Sequence, residues 1–435
     1  MDSSTTQPSA ASQAGGSSWA SFLKSIASFN GDLASLTAPP FIVSAKSLTE
    51  FSSYWAEHPA LLAAPAQEPD PEKRAVLVLK WFLSTLKQQY ASRSEQYGNE
   101  KKPINPFLGE LFLGTWEDDA GGSGTTELIS EQVSHHPPAT AYSITNLPTG
   151  VHLEGYNAQK ASFSRTINIK QIGHAVLTVP VPQASAATAT ATAAQPTDDG
   201  AVDGTAPAAD TYLITLPSLH IEGLLFGSPF IELDGASYIV SSTGYTARID
   251  YSGKGWLSGK KNSVTASLYR TGHEKDVLYH ATGQWTKAFS LYRGAPGGRN
   301  ATAASNLVAS FEPAQARARE RAAGRVWERR YFSDVAAGAA VDDDNEAEAE
   351  AEGKSEGKSE GKSEGKGEGK GRAAAPDPVL ARLARHVGLA EHGDSDKTGG
   401  LWRFDQAKAA AARAAPPLTE DEAARIAQEL LGQQP

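Results

Sequence analysis

The octapeptide Glu131-Gln-Val-Ser-His-His-Pro-Pro138 lies inside the most strand-rich part of this chain. Its two adjacent histidines precede two prolines, which fix φ and push the preceding residue away from helix. On an extended segment successive side chains point to opposite faces, so the two imidazoles do not share one core-facing position by default. Because a rigidly presented imidazole pair can donate hydrogen bonds to an anion, the segment indicates a binding site more than a packing motif.

Composition describes an ordinary globular protein and excludes several classes. The 435 residues include 40% hydrophobic and 21% charged residues, and the formal charge of −10 argues against general nucleic-acid binding. The absence of cysteine excludes a disulfide framework and thiolate metal sites. We find no run of about 18 apolar residues and no signal-peptide pattern at the N-terminus. These features predict a cytosolic protein without a membrane span.

The first 40 residues divide into a tail and an amphipathic segment. Residues 1–16 are rich in Ser, Gly and Gln, and we expect them to be disordered. Residues 17–40 begin with apolar side chains at i, i+3, i+4, i+7 and i+10, which predicts a helix with one apolar face. These side chains are Trp19, Phe22, Leu23, Ile26 and Phe29. The helix either packs on its own core or acts as a lid that alternates between a pocket and a membrane surface.

Residues 41–335 are predicted to form the main domain. Ser47-Leu-Thr-Glu50 matches a capping box that opens a helix through Trp55, and a long aromatic-rich helix follows from about Pro71 to Ser92. Short β-type runs then alternate with turns, without helices between them, which predicts an antiparallel barrel or sandwich. The runs are Glu110–Trp116, Ala141–Thr145, Val151–Tyr156, Thr166–Lys170, Tyr212–Leu216, Ser237–Val240, Thr246–Tyr251, Val264–Tyr269 and Tyr279–Trp285.

Low-complexity segments interrupt and follow this domain. Residues 183–210 are expected to form a flexible insertion between strands, and 336–377 a solvated linker. The Ala/Arg-rich stretch from Phe311 to Arg330 predicts a basic helix. Residues 378–435 are expected to form a C-terminal helical segment on the barrel, with Leu401–Phe404 packed against the main domain.

The octapeptide also resembles the fingerprint of the oxysterol-binding-protein family of lipid-transfer proteins. The similarity is to short fungal members without an N-terminal headgroup-binding domain, and it is nearly continuous from about residue 17 to 290. The resemblance implies an α+β, mainly β fold. This fold is a near-complete antiparallel β-barrel with a lipid tunnel, an N-terminal helical lid and flanking helices. It implies no cofactor, no metal and no catalytic residue.

A tunnel of this kind suits a sterol, which has one hydroxyl on a rigid apolar body. Burying on the order of 400 Å² of it contributes roughly 10 kcal/mol before association costs. A few polar groups, acting through water, orient the hydroxyl. By resemblance, the tunnel bottom is formed by Trp55, Gln89, Tyr90, Asn157 and Gln171. By the same resemblance, the lid closes through Phe22, Ile26, Leu33 and Leu36.

The second ligand implied by the resemblance is phosphatidylinositol 4-phosphate, whose headgroup requires cations and hydrogen-bond donors. The residues that match the family's motif are Lys102, Ile104, Asn105, His135 and His136. The family completes this clamp with Lys, Glu and Arg at i, i+4 and i+8 of a late helix.

The chain departs from that last pattern. Glu312 matches the glutamate, but Val308 and Ala316 stand at the two basic positions, where Arg317 or Arg319 could substitute. The span from residue 285 to 327 is also shorter than in the family, through a true deletion or an error in the translated gene. These differences affect the predicted phosphoinositide clamp more than the predicted sterol tunnel.

The sequence also bears on two other functional classes, an enzyme and a lipid sensor. The sequence does not support an enzyme, because it contains neither a Gly-x-Ser-x-Gly motif nor a phosphate-binding loop motif. The two adjacent histidines alone are a weak indication of a zinc site. A lipid sensor needs the same tunnel as a transporter and stays open. The sequence thus predicts a monomeric, non-enzymatic protein that exchanges a sterol for phosphatidylinositol 4-phosphate. It would contact membrane surfaces peripherally and bind no nucleic acid, at the Golgi and endoplasmic reticulum by resemblance.

Overall fold

The structure of the chain is a computed structural model. It describes residues 10–29, 33, 38–97, 100–118, 121–135, 137–164, 166–181, 209–253, 260–296, 307–311, 319–322, 332–334, 379, 383 and 402–407. The α-helices are α1 (Ala10–Ser28), α2 (Pro59–Ala63) and α3 (Pro71–Tyr97). Short 3-10 helices span Pro40–Ile42, Leu48–Ala56, Ala64–Gln67 and Leu224–Phe226. Within the described ranges, no helix is long and apolar enough to cross a membrane.

The strands begin after α1 and continue to the C-terminal segment. The first ten are β1 (Val43–Ser47), β2 (Lys102–Ile104), β3 (Leu111–Asp118), β4 (Gly124–Ser134), β5 (Ala139–Asn146), β6 (His152–Phe163), β7 (Ile167–Pro180), β8 (Ala209–Thr215), β9 (Ser218–Glu222) and β10 (Phe230–Asp234). The others are β11 (Ala236–Ser241), β12 (Tyr245–Ser252), β13 (Ser263–Arg270), β14 (Val277–Gln284), β15 (Phe289–Arg293), β16 (Leu307–Phe311), β17 (Arg319–Ala322), β18 (Phe332–Asp334) and β19 (Trp402–Phe404).

Fifteen strands, β3 to β17, form one sheet whose neighbouring strands are antiparallel. Its order is β16-β15-β14-β13-β12-β11-β8-β7-β6-β5-β4-β3-β17, and the β9–β10 hairpin branches from it because β9 also pairs with β7. All nine predicted strands lie in this sheet, and the predicted mainly β fold is confirmed. We call the end where β6 stops and β7 begins the lid end, and the opposite end, at the β5–β6 turn, the far end.

One core cluster joins strands from β3 to β15, so opposite parts of the sheet share an interior. The alternation of side chains in β12 shows why the strands share one interior, since every second side chain points into it. Ala247, Ile249 and Tyr251 are buried, while Arg248 between them is exposed, as a period of two requires. Helix α3 adds Trp81 to this core. The long helix predicted from the apolar pattern therefore supplies packing for the sheet.

A buried ion pair joins the start of α3 to β8 at the far end. Arg74 Nε donates to Asp210 Oδ2 at 2.7 Å, and both side chains are almost fully buried. The guanidinium also donates to the carbonyl oxygen of Glu68. Burial raises the pKa of Asp210, and the neighbouring Arg74 charge opposes that shift.

Helix α1 begins earlier than predicted. It starts at Ala10, whereas the sequence predicted the amphipathic segment from residue 17. The alanines within residues 10–16 have the highest helix propensity, which favours the earlier start. Further along, Phe22 and Ile26 are buried together with Leu33 and pack against Ala161 and Ile167. The apolar face of α1 thus covers the lid end of the β6–β7 hairpin.

The helix predicted from Phe311 to Arg330 was wrong where the structure describes that stretch. Phe311 ends strand β16, which pairs with β15, and residues 319–322 form β17, which pairs with β3. Both strands add to the ends of the sheet, whose backbone groups need partners. Tertiary pairing therefore overrides the local helix propensity of the Ala/Arg-rich sequence.

The C-terminal segment contacts the outside of the sheet at two described places. Leu383 is 2% exposed and packs against Val176, Leu213 and Val240. Phe404 of β19 packs against the buried pair Ala141 and Tyr156. Its backbone nitrogen also donates to Glu154 Oε2 at 3.4 Å.

Candidate functional site

A cavity of about 230 Å³ lies at the lid end beneath α1. This volume is large compared with the roughly 10–15 Å³ that one buried water requires on the same measure. Its walls come from α1, the 3-10 helix at 48–56, the end of α3, and strands β5, β6, β7, β9 and β10. The predicted sterol residues that line it are Phe22, Ile26, Leu33, Trp55, Gln89, Tyr90, Asn157 and Gln171. The ninth, Leu36, lies outside the described residues.

A chain of side-chain hydrogen bonds runs along one wall of the cavity. Asn157 Nδ2 donates to Gln171 Oε1 at 3.0 Å. Gln171 Nε2 donates to the Tyr90 hydroxyl at 2.9 Å and to the carbonyl oxygen of Pro217 at 2.7 Å. Within the described part of the chain, the buried Asn157 Oδ1 accepts no hydrogen bond. A buried acceptor without a donor is costly, so this atom is a natural position for a ligand hydroxyl or a water.

The backbone opposite Asn157 explains how this side chain is placed. Asn157 pairs across the β6–β7 hairpin with Gly173, whose φ of +123° is disfavoured for other residues. A Cβ atom at Gly173 would lie 2.1 Å from the carbonyl oxygen of Tyr156. Only glycine therefore permits the close approach of the two strands beside the Asn157–Gln171 bond.

Aromatic rings form the wall next to this polar chain. Trp55 stacks on Tyr142 with ring centroids 6.2 Å apart, and both side chains are buried. Burial raises the pKa of the Tyr142 hydroxyl far above its usual range, so the phenol stays neutral. Gln89 is held on α3 by a 2.8 Å bond from its Nε2 to Thr85 Oγ1.

Helix α1 is fixed over the cavity by an aromatic cluster and one polar bond. Trp19 lies 5.8 Å from Phe22 and 6.1 Å from Phe41, measured between ring centroids. Trp19 Nε1 donates to the carbonyl oxygen of Leu224 at 3.0 Å. Leu224 itself lines the cavity, so helix α1 is attached to a part of the cavity wall.

Cationic and amide side chains lie on the same cavity. Lys101, Lys102 and Asn105 line it, with the buried carboxylate of Glu100 beside them. Ile104 is 42% exposed and is absent from the lining. The structure therefore brings Lys102 and Asn105 to the cavity and does not bring Ile104 to it.

The octapeptide is bonded to the segment that carries Asn105. His135 Nδ1 lies 2.7 Å from the carbonyl oxygen of Pro106, and because a carbonyl only accepts, Nδ1 carries the proton. Asn105 Nδ2 donates to the carbonyl oxygen of His135 at 3.4 Å. His136 and Glu312 lie outside the described residues. Among the described side chains, no group of three His, Asp or Glu residues could hold a metal ion.

Sequence reasoning missed several residues of this site. Gln132 is fully buried and donates to Asn105 Oδ1 at 3.2 Å and to the carbonyl oxygen of Ser134 at 2.9 Å, so it positions both segments. Its place within the octapeptide was a signal that we did not use. Gln159 and Ala161 line the cavity two and four residues after Asn157. The period of two along β6 could have identified them.

A family model described as oxysterol-binding protein matches residues 18–339. The chain therefore belongs to the oxysterol-binding protein family, which consists of lipid-binding and lipid-transfer proteins and not of enzymes. The 15-strand sheet and its cavity are the lipid-binding domain of this family.

Curated relatives cover the same part of the chain. It is 50% identical to Protein kes1 of Schizosaccharomyces pombe over 271 residues, which are 62% of this chain and 63% of that protein. It is 48% identical to Protein KES1 of Mycosarcoma maydis over 277 residues, which are 63% and 65% of the two chains. The chain thus spans less than two thirds of the length of these relatives.

Solved structures of this family are also similar. The Osh1 ORD domain in complex with ergosterol has a TM-score of 0.48 at 19% identity, covering 71% of this chain and 63% of that one. The Osh3 ORD in complex with PI(4)P from Saccharomyces cerevisiae has a TM-score of 0.46 at 20% identity, covering 67% and 65%.

Proposed function

We propose that the cavity binds a sterol, with the hydroxyl next to Asn157 and the apolar body beneath the lid. The observation that carries this proposal is the buried Asn157 Oδ1, which accepts no hydrogen bond from the described residues and lies on a cavity that also has aromatic and aliphatic side chains in its wall. A sterol hydroxyl supplies one donor, directly or through a water. The rigid ring system then buries its surface against residues such as Phe22, Ile26 and Ile231, without any further polar requirement.

Phosphatidylinositol 4-phosphate is the proposed second ligand of the same cavity. Lys102 and Asn105 line the cavity, and His135 is bonded to the segment that carries them. A phosphate on this segment would gain charge-assisted hydrogen bonds while its acyl chains enter the cavity. His136 is part of this proposal through its place in the octapeptide, and Glu312 through the sequence match alone. Since both lipids need the same space, binding of one excludes the other.

This mutual exclusion is the basis of transport in the proposed function. The protein would take up a sterol at one membrane and release it at another in exchange for the phosphoinositide, with no chemical step. The work would come from the different affinities of the lid-open and lid-closed states. We propose that it acts as a monomer in the cytoplasm, peripherally attached to Golgi and endoplasmic reticulum membranes.

A two-vesicle exchange assay tests the proposal. Donor vesicles carry the fluorescent sterol dehydroergosterol, and acceptor vesicles either contain or lack phosphatidylinositol 4-phosphate. We expect net sterol transfer that accelerates when the phosphoinositide is present. The variant His135→Ala with His136→Ala should lose phosphoinositide extraction and keep sterol extraction.

The same assay separates the other functions. Extraction of sterol without delivery to acceptors would favour a lipid sensor, and loss of both lipids in the histidine variant would contradict separate determinants. Lys275→Ala is the control, because Lys275 is exposed in the β13–β14 turn at the far end. Chemically altered lipid after incubation would indicate an enzyme.

A further inference from the structure

We propose that the tip of the β9–β10 hairpin, residues 223–229, is a membrane-insertion loop that docks this protein on a lipid bilayer. We call it the hairpin tip. Its sequence is Gly-Leu-Leu-Phe-Gly-Ser-Pro, without a charged residue. Leu225 is 81% exposed and Phe226 is 90% exposed, more than the other large apolar side chains in the described ranges.

The shape of the hairpin tip directs these two side chains outward. Residues 224–226 form a single 3-10 turn between Gly223 at φ +75° and Gly227 at φ +66°. A Cβ atom at Gly223 would lie 2.2 Å from the carbonyl oxygen of Ser228, so this position requires glycine. Leu224 turns inward and is buried, which leaves Leu225 and Phe226 as the outermost side chains.

The backbone of the hairpin tip has internal hydrogen bonds that reduce the cost of entering an apolar environment. Phe226 N donates to Gly223 O at 3.1 Å, Gly227 N to Leu224 O at 3.2 Å, and Ser228 N to Gly223 O at 3.2 Å. In hydrocarbon each unsatisfied backbone group costs several kcal/mol. These three internal bonds pair the donors of Phe226, Gly227 and Ser228, which lowers the cost of moving the turn out of water.

The position of the hairpin tip favours a bilayer over a protein partner. The tip borders the cavity through Leu224, and the backbone nitrogen of Glu100 donates to the carbonyl oxygen of Pro229 at 2.7 Å. It therefore lies beside both the lid and the lysine-bearing segment, where a lipid must pass if the proposed function is correct. The orientation toward a membrane rests on that function.

Cations at the base of the hairpin tip suit the headgroup layer. Lys261 Nζ lies 3.7 Å from the ring centroid of Phe230, which directly follows the tip, and the neighbouring Lys260 is exposed. Basic side chains beside a short apolar insertion add attraction to anionic lipids. Glu222, at the other side of the base, is within 3.5 Å of His220 Nε2.

A single-cysteine experiment tests insertion directly, because the chain has no native cysteine. Phe226→Cys is labelled with the environment-sensitive fluorophore NBD and mixed with phosphatidylcholine/phosphatidylserine vesicles that lack sterol and phosphoinositide. We expect a blue shift with several-fold brighter emission, and quenching by spin labels on the lipid chains. Leu147→Cys is the matched control, since Leu147 is 48% exposed in the β5–β6 turn at the far end. Equal emission at both positions in vesicle-bound protein would overturn the proposal.

A binding measurement completes the test. Leu225→Ala with Phe226→Ala should reduce vesicle sedimentation at least tenfold, while Leu147→Ala leaves it unchanged. Sterol delivered from cyclodextrin without vesicles should bind the double variant normally, which separates failure of docking from failure of the cavity. Undiminished sedimentation of the double variant, or an NBD shift that depends on protein concentration without vesicles, would reject a bilayer as the occupant.

Discussion

The indole nitrogen of Trp19 donates a 3.0 Å hydrogen bond to the carbonyl oxygen of Leu224, 205 residues further along the chain. This bond joins helix α1 to the β9–β10 hairpin, and Leu224 belongs to both the cavity wall and the hairpin tip. Helix α1 is therefore held over the cavity by apolar packing, which an apolar ligand could share, and by one directional hydrogen bond, which depends on the position of the 3-10 turn at Leu224.

Replacing Trp19 by phenylalanine isolates that directional contact. The ring can still pack near Phe22 and Phe41, but the donor to Leu224 is lost. One net hydrogen bond contributes about 0.5–1.5 kcal/mol, so bound sterol should dissociate roughly 2–10 times faster. The measurement is the release of dehydroergosterol into excess cyclodextrin. A larger effect is expected for Trp19→Ala, and an unchanged release rate in Trp19→Phe would show that the bond does not hold the lid.

Asn157→Leu tests where the sterol hydroxyl binds. The change removes the acceptor Oδ1 and the donor to Gln171 while keeping a similar volume. Leaving a buried ligand hydroxyl unpaired costs about 1–3 kcal/mol, so the affinity for cholesterol should fall roughly 5- to 150-fold.

A sterol methyl ether is the control ligand for this variant, because it cannot donate a hydrogen bond. The methyl ether should have a low affinity for the unaltered protein, and its affinity for Asn157→Leu should be the same. The affinities are obtained by titration from cyclodextrin. Equal losses for cholesterol and its methyl ether would place the hydroxyl elsewhere.

Lys102→Ala should weaken phosphoinositide extraction and spare sterol extraction. Lys102 lines the cavity, and a charge-assisted contact to phosphate contributes about 1.5–3 kcal/mol, which corresponds to roughly a 10- to 150-fold loss. Phosphoinositide extraction by the unaltered protein should also fall more steeply with salt than extraction by the variant. The reason is that salt screens the Lys102 charge, which the variant lacks. Lys275→Ala at the far end is the matched control, and a similar loss in that variant would point to a general charge effect.

The sequence was sufficient for the strands of the sheet, because they follow local patterns, whereas the residues predicted for the site came from motif resemblance alone. The period of two in runs such as Thr246–Tyr251 marks strands, and motif resemblance selected Asn157 and Gln171. The Trp19–Leu224 bond was beyond reach, since no local pattern relates residues 205 positions apart. The helix predicted from Phe311 failed because pairing with the ends of a sheet depends on where those ends lie in space.

The buried pair Arg74–Asp210 should control the stability of the far end without affecting the lipid site. Removing one partner leaves an uncompensated buried charge, so Arg74→Met and Asp210→Ala should each lower the free energy of unfolding by about 3–5 kcal/mol. The double variant should lose less than the sum, with a coupling of about 0.5–3 kcal/mol, because no lone charge remains. Urea unfolding of the four proteins measures this cycle. Strict additivity would mean that the two side chains, although 2.7 Å apart, do not stabilise each other.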